Sequence, residues 1–438
     1  MYASNWNDLS TFGVAALKHM DRSRQARGQL LERAGYGPQE TPCIVVHAEA
    51  GLKLRRYGDS GGPAVLLVPA PIKRAYIWDL APAISVVQRW LEHGYRVYLA
   101  EWVPLDEGQD AAADSAGFGL AGYGDRLLTN SRRAIQQDCG QDQVVIAGHS
   151  LGGILAAIHA CLHPEHIAAT VLLESPLGFD PASDCFAPLV RATPDARRIA
   201  DAFGQVPGSF LNMMSAAAEP HAFGWERLLD RTVSMSSPQA LGSYMRVERW
   251  THDEFPLPGP LFVDLVEALY RRDALSKGEL VIGARSIGPH DLRTPLISVF
   301  DPRSKVIPPQ SVQSFHEAAA SADKLLLEYS GDIGVNLQHV GVLVGRNAHA
   351  RLWPAIFNWL DALRDAASVA AAATETGVTV AGNTAAGKTA AESTGAESTA
   401  AQGASADGGA AATLAASGSA DGKAAAATAA SAPASPPL

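Results

Sequence analysis

The chain has 438 residues, of which 47% are hydrophobic, 18% charged and 7% aromatic, with 35 Lys and Arg against 45 Asp and Glu. That length buries a large core without covalent staples, and four cysteines (Cys43, Cys139, Cys161, Cys185) with no C-x-x-C pair argue against a disulfide framework or a zinc ribbon. A net charge of −10 without a dense basic block argues against nucleic acid as a partner, because phosphate binding needs a concentrated cationic face.

Residues 1–40 read as an N-terminal helical segment, with a polar helix from Trp6 to Glu32. Met1 to Asp21 lacks a basic segment followed by an apolar run, so no signal peptide is read and a cytoplasmic location is expected. Cys43–Ala48 and Leu52–Tyr57 are predicted strands joined by the turn Glu49-Ala-Gly51. Continuous apolar runs follow at Ala64–Pro69, Tyr95–Ala100, Val144–Ala147 and Ala168–Leu173, the composition of strands buried on both faces. Between them, Tyr76–His93 and roughly Gly124–Gln137 read as helices, and residues 151–162 as a third. Val144–Pro164 carries no Asp, Glu, Lys or Arg, yet its Gly-His-Ser-Leu-Gly-Gly interruption suits a strand, a turn and a buried helix better than a membrane span.

Alternating strands and helices predict an α/β fold with a mainly parallel sheet and right-handed crossovers. The alternation is lost at residues 176–293, a helix-leaning insertion rich in Pro, Met and Trp. It resumes with strand Leu296–Phe300, helix Pro309–Ala322, strand Leu325–Tyr329 and helix Leu352–Leu363. The layout predicts a core in two parts, 41–175 and 294–366, with 176–293 as a cap over the site. Residues 367–438 read as a low-complexity, disordered tail, since from 371 onward it is mostly Ala, Gly, Ser and Thr without an aromatic residue. Within it, Gly382-Asn-Thr-Ala-Ala-Gly387-Lys388-Thr389 matches the P-loop pattern, but the buried strand and packed helix that a phosphate cradle needs are missing. It is read as a chance match.

The pattern G-x-S-x-G occurs twice. At Gly58-Asp59-Ser60-Gly61-Gly62 it lies between two predicted strands and reads as a tight turn. At Gly148-His149-Ser150-Leu151-Gly152 it joins an apolar strand to an apolar helix, the context of a nucleophile elbow. Ser150 would project above the sheet at a helix N-terminus, where the Leu151 N–H and the helix dipole favour a developing oxyanion. A serine hydroxyl needs a base and an orienting acid. Of 13 histidines, His339 lies between the last predicted strand and the final helix, where the order Ser, acid, His puts the base. His163-Pro-Glu-His166 is too short and too close to a strand to form a metal pair, and no metal or other cofactor is read.

The run Leu67-Val-Pro-Ala-Pro-Ile-Lys-Arg-Ala-Tyr-Ile-Trp-Asp-Leu80, then Gly94-Tyr-Arg-Val-Tyr-Leu-Ala-Glu-Trp102, resembles the segment leading into the core of polyhydroxyalkanoate synthases. Gly122-Tyr-Gly-Asp125, Trp250 with Pro256-Leu-Pro-Gly-Pro260, Leu269-Tyr270, Gly278-Glu-Leu280, His339-Val-Gly341, Trp353-Pro354 and Trp359-Leu360 resemble that family in the same order. The resemblance covers roughly residues 40–364. It implies an α/β-hydrolase core with a cap, and acyl transfer from coenzyme A thioesters of 3-hydroxy acids to a growing polyester.

Two positions depart from the family pattern. The synthases carry Cys in the elbow where this chain has Ser150, and an Asp in a D-x-x-x-P loop where Ser304-Lys-Val-Ile-Pro308 has Ser304. The acid is therefore sought at Asp301, which closes strand Leu296–Phe300, or at Glu174, which ends the preceding core strand, with Asp332 as a third candidate. The second oxyanion donor is expected after strand Ala64–Val68. Pro69 and Pro71 have no N–H, which leaves Ala70 or Ile72, with Ile72 preferred. The expectation is a serine acyl hydrolase acting on hydroxyalkanoate esters, with Ser150, His339 and Asp301 as its catalytic residues and Leu151 and Ile72 at the oxyanion. A synthase-type acyltransferase using hydroxyacyl-CoA and a catalytically weak granule-binding protein are the alternatives. Expected partners are the hydroxyacyl ester or hydroxyacyl-CoA, a polyester granule surface and a second copy of the chain.

Overall fold

The computed structural model describes residues 3–375 apart from Ser60, 106–114, Ser183, Pro194 and 336–337. Ser60 of the first G-x-S-x-G and the P-loop match thus lie outside the described residues. Eight strands form one sheet: β1 (Cys43–Glu49), β2 (Leu52–Tyr57), β3 (Ala64–Val68), β4 (Arg96–Trp102), β5 (Val144–His149), β6 (Ile167–Leu173), β7 (Leu296–Phe300) and β8 (Lys324–Glu328). Their order is β1-β2-β4-β3-β5-β6-β7-β8. The pairs β1/β2 and β2/β4 are antiparallel, and all others are parallel.

The apolar runs are central strands because side chains alternate across a sheet that is covered on both faces. In β3, Leu66 and Val68 enter one core while Val65 and Leu67 enter the other. In β2 the pattern is half-polar: Leu52 and Leu54 point inward, and Arg55 pairs outside with Glu101 (2.6 Å) and Glu40 (2.6 Å).

Helices α1 (Ala3–Leu31), α2 (Val86–Glu92), α3 (Leu128–Cys139) and α4 (Leu151–Leu162) precede the insertion. The single helix predicted at Tyr76–His93 is broken into two 3-10 turns, Ala75–Trp78 and Pro82–Ile84, before α2. Pro82 has no N–H to donate, and Asp79 accepts from the Thr41 backbone (2.6 Å) and from the Ser85 hydroxyl (2.5 Å), which favours turns over a continuous helix. Ser85 then caps α2 by accepting from Gln88 N–H at 2.9 Å.

The insertion between β6 and β7 carries α5 (Ala187–Ala192), α6 (Ala196–Phe203), α7 (Gly208–Ala218), α8 (Arg227–Ser234), α9 (Pro238–Thr251) and α10 (Gly259–Asp264). The N-terminal helix packs against it: Arg24 donates to the Thr251 carbonyl at 2.8 Å, and Glu32 pairs with Arg249 at 2.7 Å. After β7 come α11 (Pro309–Ala318), α12 (Gly341–Val344) and α13 (Trp353–Glu375). The last helix passes the predicted end at Leu363 and takes in residues 367–375, the first part of the expected tail. Its added turns are rich in alanine, the strongest helix former. The rest of the predicted tail lies outside the described residues.

On the face away from α4, Trp90 is fully buried, edge-on to Tyr95 (ring centroids 4.7 Å apart) and to Phe357 (4.9 Å). Trp90→Ala should cost about 3–5 kcal/mol through lost contacts and a residual cavity. Thermal unfolding should show Tm lowered by roughly 5–15 °C. A loss below about 1 kcal/mol would mean that this side of the sheet is not held by the aromatic cluster.

Candidate active site

Two non-glycine residues with positive φ stand side by side at the carboxyl ends of β5 and β6: Ser150 (φ 56) and Glu174 (φ 42). Each is held there by the neighbouring strand. Ser150 N–H donates to the Leu173 carbonyl (3.0 Å), and Glu174 N–H donates to the Val299 carbonyl (2.9 Å). Side chains disfavour this backbone region, so it persists where the surroundings over-determine it.

The elbow glycines follow from close approach. A Cβ on Gly152 would strike the Val68 and Pro69 carbonyls, and one on Gly153 would strike the Ser175 hydroxyl. The elbow helix α4 is thereby pressed against the loop leaving β3. Gly152→Ala should cost about 1–3 kcal/mol from overpacking. Turnover should fall on the order of 10²-fold, because the loop that faces Ser150 is displaced. Differential scanning calorimetry and kcat measured together test this, and wild-type values for both would refute the contact.

Ser150, Leu151, His339 and Ile72 line one cavity of about 320 Å³, whose wall also includes Phe186 and Leu211 of the insertion. Leu151 is the first residue of α4, in the turn whose N–H groups have no acceptor within the helix. Ala70 lines the same cavity.

His339 lies in the 3-10 turn Gln338–Val340, and its Nδ1 is 2.9 Å from Glu174 Oε2. With Nδ1 occupied, Nε2 is the ring nitrogen left for proton exchange. Burial holds the imidazole down at about 4. Burial, then the nearby Asp301 carboxylate, pushes Glu174 well above the usual carboxylate range. Both members are driven toward their uncharged forms, so a charge arising on one is stabilised chiefly by the other.

Asp301, the preferred acid in the sequence, is not the carboxylate that meets His339. It turns back onto its own loop, where Oδ1 accepts from Arg303 N–H at 2.9 Å and its carbonyl accepts from Ser304 N–H at 3.2 Å. Asp332 is also engaged elsewhere, accepting from the Tyr329 hydroxyl (2.7 Å) and from Asn347 N–H (3.1 Å). Of the three candidates, Glu174 is the one in hydrogen-bond contact with the imidazole.

Sequence reasoning missed His149, which it read as the variable residue of the elbow. Its ring stacks on His339 with centroids 4.5 Å apart, and its Nε2 lies 2.9 Å from the His339 carbonyl. Burial, and then the like charge of His339, lower its pKa well below the ordinary histidine value, so it is the neutral ring that steadies the His339 turn. No local pattern announces this contact, because its two partners are 190 positions apart.

The alpha/beta hydrolase fold model matches residues 63–223. A poly(3-hydroxyalkanoate) polymerase subunit of Haloferax mediterranei is 28% identical over 354 residues, 78% of this chain and 68% of its own length. The corresponding subunit of Allochromatium vinosum is 25% identical over 351 residues, 78% of this chain and 95% of its own length. Among solved structures, a monoacylglycerol lipase of Paleococcus ferrophilus is 16% identical and covers 71% of this chain and 99% of its own, with a TM-score of 0.47. Among the described residues, no helix is long and apolar enough to cross a membrane.

Proposed function

We propose that this chain, an enzyme of the α/β-hydrolase fold related to poly(3-hydroxyalkanoate) polymerase subunits, transfers hydroxyalkanoate acyl groups through a covalent intermediate on Ser150. His339 takes the Ser150 proton, Glu174 orients and neutralises the imidazolium, and the Leu151 N–H, with that of Ile72, supports the oxyanion. The observation that carries this reading is the 2.9 Å contact between His339 and Glu174 beside a serine held at positive φ in the same cavity.

The similarity to polymerase subunits favours a hydroxyacyl-CoA donor and transfer to a hydroxyl of the growing polyester over simple hydrolysis. Arg24, Lys73, Arg74 and Arg227 also stand on the cavity wall, each already paired with a carboxylate of the insertion: Glu254 for the first two, then Asp253 and Glu248. Hydrolysis is the second reading, favoured by Ser150 itself. A thioester on Cys keeps the acyl group activated for another hydroxyl, whereas an ester on Ser is no more reactive than the polymer bond. A granule surface is the further partner that the polymerase reading implies.

The two readings separate on products. Coenzyme A release accompanied by a polymer that lengthens with time marks the transferase. Stoichiometric free hydroxy acid from the thioester and from a short oligoester marks the hydrolase. If neither substrate turns over and a fluorophosphonate fails to label the protein, the acyl-transfer reading is wrong.

The pH profile carries a further expectation. The competent base is neutral His339, and lowering the pH through its pKa removes that form. Because burial holds this imidazole at about 4, kcat/KM of the free enzyme should stay level through pH 6.5 and fall only near pH 4. An acid limb at pH 6.5 would contradict a buried, neutral imidazole.

A further inference from the structure

At the far end of α4, about 13 Å along the helix from Ser150, a second histidine pair faces the turn Gly122–Leu127. His159 and His163 are four positions apart and so share one face, with ring centroids 4.9 Å apart. His163 Nε2 is 2.7 Å from Asp125 Oδ1, and Thr129 Oγ1 stands 3.3 Å from that same oxygen. His159 is 1% exposed, and neither of its ring nitrogens makes a well-formed hydrogen bond; a weak interaction with the Gly124 backbone is what it has in place of one. An imidazole buried with both nitrogens unsatisfied is costly unless something else engages it.

We propose that Asp125, His159 and His163 form a binding site for a divalent transition metal, with Zn²⁺ the ion whose ligand preferences they match. Two imidazoles and one carboxylate are a common donor set for zinc, and one donor atom from each lies within 4.8 Å of the others. In a tetrahedral zinc site such atoms stand about 3.3 Å apart. Asp125 and His163 are partly exposed, at 38% and 29%, so they have room to shift from their 2.7 Å contact toward that spacing, and solvent gives the ion a way to enter. The Thr129 hydroxyl, which donates to Asp125 Oδ1 at 3.3 Å, is placed to orient that ligand. The ion would clasp the Gly122–Leu127 turn to the helix that Ser150 begins, away from the cavity, and so act on stability.

The test uses full-length protein stripped with a chelator and titrated with ZnCl2 in competition with a chromophoric chelator. One equivalent should bind and raise Tm. His163→Gln and Asp125→Asn should weaken binding on the order of 100-fold or more and remove the Tm increase. His166→Ala, whose ring pairs with Asp142 outside the cluster, should bind as wild type does. His159→Ala opens a buried cavity, so the two partly exposed positions carry the result even if that variant fails to fold. Absence of stoichiometric zinc in the wild type, or equal affinity in His163→Gln and Asp125→Asn, overturns the proposal.

Discussion

Ser150→Ala is expected to lower turnover of hydroxyacyl thioesters and esters by roughly 10⁶-fold while leaving Tm and the far-ultraviolet spectrum near wild type. The magnitude follows from the loss of the covalent step, since binding and oxyanion support alone retain only the residual acceleration over water. The fold should survive because the strain at φ 56 is held by the Leu173 carbonyl and by the glycines around the elbow. Alanine enters that conformation with a side chain no larger than serine's. Coenzyme A release and fluorophosphonate labelling should vanish together. Activity within about tenfold of wild type would show that Ser150 is not the nucleophile.

Glu174→Gln is expected to reduce kcat on the order of 10⁴-fold, because a neutral amide neither fixes the productive tautomer of His339 nor stabilises the imidazolium. The loss should fall on kcat with KM little changed, since Glu174 is buried behind His339 and is not among the residues lining the cavity. Asp301→Asn serves as the comparison. Its side chain caps the Arg303 turn, so its effect should stay within about tenfold. Losses of similar size in both variants would mean that the two carboxylates share the role, and a larger loss in Asp301→Asn would return the assignment to the order that the sequence favours.

These two substitutions mark where sequence reading reached its limit. Ser150 was legible because an elbow needs small residues at fixed offsets between an apolar strand and an apolar helix, and all of those constraints are local. His339 was legible by order along the chain. The acid was not, because Glu174 and Asp301 close adjacent parallel strands and both sit near the carboxyl edge of the sheet. Only backbone conformation separates them: Glu174 takes positive φ, whereas the Asp301 carboxylate folds onto the N–H two residues ahead. Steric preference and side-chain competition of this kind leave no trace in composition or spacing.

The second histidine pair follows the same logic. Sequence spacing drew attention to His163 and His166, yet the structure turns His166 toward Asp142 and His163 toward Asp125 and His159. The turn Gly122–Leu127 reaches that helix end only because the chain crosses the sheet between β4 and β5.

The amino-acid order by itself determined the strands, the helix that follows the elbow, the place of the insertion and the identity of the residue at the elbow, since each depends on periodicity or on steric rules acting over a few positions. Tertiary structure alone decided which carboxylate meets His339, how His149 supports it and which residues of the insertion reach the cavity wall. Those outcomes depend on contacts between segments more than a hundred residues apart, and their free energies come from burial and pairing that no single segment contains.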